Sequence, residues 1–183
     1  GLIDQAYSEV IEEGVEVKRP EIGVLIEVPA AVYQARLLAK EADFMAVGSN
    51  DLTQYLLAVD RNNPRVADLY QEVHPAVISA LREVARAAHA EEKPLGICGE
   101  LAGTPAGAIL LMAMGYHVLS MNATHLLRVK WVIRNIKRSD ARRMLARVLR
   151  MDTAEEVTAF LHKDLVRLGL SKVMPARSTT QLH

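Results

Sequence analysis

Cysteine is almost missing from this sequence: Cys98 is the only one in 183 residues. A lone thiol cannot close an internal disulfide. That excludes a disulfide-stapled secreted domain and suits a reducing compartment. Net charge is missing too, because 22 Lys and Arg balance 22 Asp and Glu. With no excess of positive charge to draw a polyanion, nucleic acid is not expected as a partner. No apolar run nears the roughly 20 residues needed to cross a bilayer; the longest falls around residues 108–114. No secretory leader pattern is present. These absences point to a cytoplasmic protein without membrane contact. Internal repeats, low-complexity tracts and a Pro/Gly/Ser-rich linker are also missing, so the chain reads as one domain with a sizeable core.

The chain opens on Gly1-Leu2-Ile3-Asp4, without Met, and moves directly into helical patterning over residues 3–13, with Ala6, Val10 and Ile11 on one face and Gly14 as a stop. It reads as a piece cut from a longer protein. Four short apolar stretches follow, at 22–28, 44–47, 95–98 and 118–121. Helical patterns separate them at 29–40, 52–58, 75–90 and 105–114, and three more follow at 123–135, 139–148 and 153–168. Over 75–90, Val77, Leu81, Val84 and Ala88 recur at helical spacing. Thr104 and Thr153 are placed as N-caps, Thr153 with Glu156 three residues on. Alternation of this kind implies parallel strands covered by crossover helices. A (β/α) barrel and an open α/β sheet both fit, and four strands are half of an eight-stranded barrel. Residues 1–170 make the domain, and 171–183 read as a frayed tail.

Polar residues gather at the strand ends. Glu27 interrupts an apolar strand; Asn50 and Asp51 stand in a Gly48-Ser49-Asn50-Asp51 loop after the second; Cys98 closes the third, before Gly99 and Glu100. Each has a plainer reading. Glu27 could pair with a structural cation, Asp51 could cap a helix, and Cys98 could be an inert core thiol. Taken together, two carboxylates at matching strand ends suit a hard divalent cation such as Mg²⁺. A protonated thiol beside a carboxylate suits proton delivery to carbon. Arg61, one loop beyond Asp51, is either a partner for Asp60 or a fixed fork for an anion. His74, His89, His117 and His125 lack metal-binding spacing and read as surface or packing residues.

Four tracts resemble a known family: Gly23-Val24-Leu25-Ile26-Glu27-Val28-Pro29, Val47-Gly48-Ser49-Asn50-Asp51-Leu52-Thr53-Gln54-Tyr55, Ala58-Val59-Asp60-Arg61 and Ile97-Cys98-Gly99-Glu100-Leu101-Ala102-Gly103. They are similar to the C-terminal TIM barrel of the phosphoenolpyruvate (PEP)-utilising enzymes, and most similar to enzyme I of the bacterial phosphotransferase system. The run from Asp51 to Asn63 and the tract Leu119-Ser120-Met121-Asn122 resemble its nitrogen-related paralogue.

The resemblance spans residues 3–168 and implies the last four units of a (β/α)8 barrel. It implies Glu27 and Asp51 as Mg²⁺ ligands, and Asn50, Asp51 and Arg61 as PEP-binding residues. It implies Cys98 as the acid that protonates the enolate carbon to give pyruvate. It also implies a homodimer and, in the whole enzyme, a histidine-bearing (HPr-like) phosphocarrier as acceptor. The family's phosphate-clamping arginines and its phosphorylated His have no counterpart here, so this segment alone is expected to be inactive. The alternatives are a barrel fragment of PEP synthase or pyruvate phosphate dikinase, and a non-catalytic dimerisation module.

Overall fold

The structure, a computed structural model, describes residues 1–170. The expected tail, 171–183, lies outside the described residues. A helix, α1 (Leu2–Glu12), precedes β1 (Gly23–Ile26), α2 (Pro29–Tyr33), α3 (Ala35–Glu41), β2 (Phe44–Gly48) and α4 (Ser49–Leu57). Next come α5 (Pro75–Ala90), β3 (Leu95–Cys98), α6 (Glu100–Gly103), α7 (Pro105–Met114) and β4 (Val118–Ser120). The last three helices are α8 (Ala123–Asn135), α9 (Arg138–Val148) and α10 (Ala154–Arg167). All strand pairs are parallel, and the strands lie side by side in chain order β1-β2-β3-β4.

Register sorts the strand residues into rows across the sheet. Ile26, Val47, Ile97 and Leu119 form one row, and Val24, Met45 and Leu95 another. Both rows belong to the face packed on helices, where Ile26, Met45, Val47, Leu95 and Ile97 are buried. The alternate residues face the other way. Leu25, Ala46, Gly96 and Val118 share a row there, and Leu25 is 48% and Val118 60% exposed. Helices therefore cover only one face of the sheet, and the other carries bare apolar side chains.

The helical face explains the stability. All four core positions read from the α5 pattern, Val77, Leu81, Val84 and Ala88, are fully buried. At about 1.5–3 kcal/mol for each large apolar side chain removed from water, they dominate the docking of α5. α7 is apolar on every side and correspondingly buried, with Ala108, Ile109, Leu110 and Leu111 all in the core. The Tyr116 hydroxyl, inside the core, donates to the Leu81 carbonyl at 3.0 Å. Burial pushes its pKa upward.

The caps stand as expected at Thr104, which accepts from Gly107 N–H, and at Thr153, which accepts from Glu156 N–H. Several boundaries differ from expectation. The 22–28 strand ends at Ile26, leaving Glu27 just beyond it. The single helix over 29–40 breaks at Gln34, with φ −100° and ψ 6°. The loop expected at 48–51 is instead the start of α4, so Asn50 and Asp51 stand in a first helical turn. Their side chains can satisfy free amide groups there, which tertiary contacts exploit. The apolar face expected on α1 buries no residue, and Ile11 remains 44% exposed.

Candidate active site

The C-terminal edge of the sheet gathers the polar strand-end residues. Gly48 is level with Cys98, and Cys98 with Ser120. Glu27 follows Ile26, the partner of Val47, so it is level with Gly48. Its side chain lies directly over that glycine: a Cβ at position 48 would fall on Glu27 Oε1 and within 2.8 Å of its Cγ. Glycine at 48 is thus what admits the Glu27 carboxylate to the end of β2. Asp51 emerges three residues later, in the first turn of α4. The two expected metal-ligating carboxylates leave the same end of two adjacent parallel strands.

The first turns of α4 and α6 are joined by hydrogen bonds. Ser49, 2% exposed, donates its hydroxyl to the Cys98 carbonyl at 2.9 Å. Asn50 Oδ1 accepts from the Glu100 N–H at 3.0 Å. The Cys98 Sγ lies 3.6 Å from the Val47 carbonyl, an acceptor for the thiol proton. Cys98 is exposed at the end of its strand. Gly99 turns the chain with φ +124° and ψ 178°, and a Cβ there would collide with Ser49 Oγ.

The loop after α4 folds back over this rim. Ala58 takes a left-handed conformation, φ 53°, to end the helix. Arg61 N–H donates to Gln54 Oε1 at 3.3 Å, and Arg61 Nη2 stands 3.6 Å from Asp51 Oδ1. The structure thus pairs Arg61 with Asp51 and not with Asp60. Both partners are about one-third or more exposed, so the pair contributes little to stability. Its consequence is positional, because it holds a guanidinium beside a carboxylate expected to bind metal. Arg61 Nη1 is buried with no partner, leaving one arm of the fork free to donate.

Tyr70 and Glu72, on the same loop, carry no recognisable pattern in the sequence. The Tyr70 hydroxyl donates to the Asn50 carbonyl at 3.3 Å. Burial and the neighbouring Glu72 raise its pKa, and hydrogen bonding with Arg61 and Thr53 partly offsets this. Glu72 Oε1 is buried without a partner. Burial, and then the nearby charge of Glu100, push its carboxyl up to about 7. The only hint in the sequence is an acid in a half-apolar stretch between Tyr70 and His74.

A groove of about 540 Å³ opens at this rim, with Asn50, Glu72, Cys98, Glu100, Asn122 and His125 among its walls. Of the expected site residues, Asn50 and Cys98 line it. Glu27, Asp51 and Arg61 stand on the same edge of the sheet but outside its lining. His125, read as a surface or packing residue, lies against Gly103 and faces the groove. Among the described residues no group of three or more His, Cys, Asp or Glu converges. That donor set does not fit a structural Zn²⁺ site. Two carboxylates from adjacent strand ends do fit Mg²⁺, which takes one or two and completes its shell with water and substrate oxygens.

Comparison with known proteins identifies the family. The family profile of the PEP-utilising enzyme, PEP-binding domain, matches residues 1–138. A relative from Escherichia coli K12, named phosphoenolpyruvate-dependent phosphotransferase system, is 43% identical over 92% of this chain and 24% of its own length. The phosphoenolpyruvate-protein phosphotransferase of Haemophilus influenzae is 40% identical over 93% of the chain and 30% of its own length. That of Geobacillus stearothermophilus is 43% identical over 78% and 25%. The chain thus spans under a third of the length of these curated relatives. A profile match over three-quarters of the chain, with relatives at this identity, shows that it belongs to the PEP-utilising enzymes, in their PEP-binding domain.

Proposed function

We propose that this chain is the C-terminal half of the PEP-binding barrel of a phosphoenolpyruvate–protein phosphotransferase, carrying the metal site and the proton donor. The observation that carries this is the rim row Glu27–Gly48–Cys98–Ser120, with Asn50 and Asp51 rising from the adjacent helix turn. Strand order supports a (β/α)8 barrel over a doubly wound sheet. A doubly wound sheet reverses its order at a switch point and carries helices on both faces. Here the order runs β1-β2-β3-β4 without reversal, and one face is bare. In a barrel that face, with Leu25 and Val118, is the packed interior, and residues 1–170 form half of its wall.

In this reading Glu27 and Asp51 hold Mg²⁺, which when bound supplies positive charge to the oxygens of PEP and its enolate. Asn50 and the free arm of Arg61 orient the anionic oxygens. Cys98 donates its thiol proton to C3 of the enolate, producing pyruvate. The phosphoryl group goes to a histidine elsewhere in the whole protein and then to an HPr-like phosphocarrier, largely through positioning. The relatives' names favour a phosphotransferase over PEP synthase or pyruvate phosphate dikinase. The setting is cytoplasmic, consistent with the lack, among the described residues, of any helix long and apolar enough to cross a membrane.

A homodimer belongs to the same reading. Leu127, 79% exposed, and Trp131, 37% exposed, sit four residues apart on α8 beside the exposed Leu126, as an apolar contact surface would. The non-catalytic module remains the competing reading.

The test is the intact protein supplied with PEP and Mg²⁺. Cys98→Ala should abolish pyruvate formation while histidine phosphorylation partly survives. Asp51→Asn should weaken both reactions and also Mn²⁺ binding followed by paramagnetic resonance. Pyruvate formation unchanged in Cys98→Ala would defeat the reading.

A further inference from the structure

We infer that Glu72 returns the proton to Cys98 after the thiol has given its own to carbon: a positioning residue that acts through the thiol. The inference rests on the proton-donor role of Cys98 proposed above. Glu72 and Cys98 line the same groove, Glu72 from the loop after α4 and Cys98 from the end of β3. Glu72 Oε1 is buried and accepts no hydrogen bond, and no cation pairs with it among the described residues. Ionisation would leave a charge on a carboxyl group with one oxygen buried and unpartnered, so the fold favours the acid form.

The groups facing it agree. Glu100, on α6, repels a second negative charge. Arg61 pairs with Asp51 through Nη2 and its unpartnered Nη1 makes no bond to Glu72, Tyr70 is un-ionised, and His125 stands on the groove wall at the start of α8. The carboxyl consequently titrates at about 7, where an acid can both hold and release a proton in neutral solution.

The step balances. The Cys98 S–H bond breaks as the enolate electron pair forms a C3–H bond, leaving a thiolate. The Glu72 O–H bond then breaks, its proton restores the S–H bond, and its electron pair stays on the carboxylate. Water at the open mouth of the groove reprotonates Glu72.

The test is exchange of the pyruvate methyl protons with D₂O, followed by NMR with the intact enzyme and Mg²⁺. The exchange needs the thiol's proton to be traded with solvent. Glu72→Gln should slow it at least tenfold near neutrality and remove an inflection near pH 7. PEP-dependent phosphorylation of the enzyme should fall several-fold less. Glu72→Asp should restore most of the exchange, and His125→Gln should keep the inflection. Exchange unchanged in Glu72→Gln would overturn the inference. So would a parallel loss of both reactions with the inflection retained, or its disappearance in His125→Gln. If Glu72→Gln fails to fold, Glu72→Ala takes its place, and exchange unchanged in that variant overturns the inference instead. If Cys98→Ala exchanges as fast as the parent, the proposed role of the thiol fails, and this inference with it.

Discussion

Ser49 and Cys98 are joined across the end of the sheet, the buried Ser49 hydroxyl donating to the Cys98 carbonyl at 2.9 Å. This bond links the start of α4, which carries Asn50 and Asp51, to the strand end that carries the thiol. Ser49→Ala would leave that carbonyl without its donor. Such a loss costs about 1–3 kcal/mol. Urea denaturation should show the chain destabilised by that order, with an unchanged m-value.

Gly99 should tolerate no side chain. Its φ of +124° is a conformation that L-residues rarely adopt, and a Cβ would collide with Ser49 Oγ. Strain of this kind costs about 1–3 kcal/mol before any clash is counted. Gly99→Ala should therefore lower the thermal midpoint more than Ser49→Ala does, as read by circular dichroism.

Gly48→Ala should separate stability from metal binding. The clash is with the flexible side chain of Glu27, which can swing away. The fold should survive with a loss of about 1–3 kcal/mol, the usual cost of overpacking. Mn²⁺ affinity, measured by titration calorimetry on the intact protein, should fall at least tenfold. Retained affinity would show that Glu27 does not need its place over residue 48.

Stability should depend on pH through Glu72. Its folded-state pKa, about 7, lies above the ordinary 4.5, so the native chain binds more protons than the unfolded one between these values. The contribution is fully present below about 4.5, is lost as pH rises through 7, and is flat beyond. Its span is on the order of 3 kcal/mol. Glu72→Gln carries no titrating group there. Its stability relative to the parent should therefore rise by that order between pH 5 and pH 8, as measured by denaturant unfolding at each pH.

Much of the architecture was legible because it rests on local patterns. The α5 stripe Val77-Leu81-Val84-Ala88 is a direct consequence of helical periodicity, and all four side chains are buried. α7 ends at Met114, as its 105–114 pattern implies, with Gly115 at φ +92° after it. Boundaries were less legible. Ser49-Asn50-Asp51 reads as a turn because Asn and Asp serve turns and first helical turns alike. Only the bonds to Cys98 and Glu100 show which use was made of Ser49 and Asn50.

The division follows from the range of the forces involved. Sequence alone determined that four parallel strands alternate with helices, and that carboxylates and a thiol fall at strand ends, since both depend on neighbours a few residues apart. The pairing of Arg61 with Asp51, the place of Glu27 over Gly48 and the hold of Tyr70 on Asn50 depend on segments brought together across 10 to 21 positions. The burial of Glu72 beside Glu100 spans 28 and sets its proton affinity. Desolvation and charge act through space, and only the folded chain decides which groups share that space.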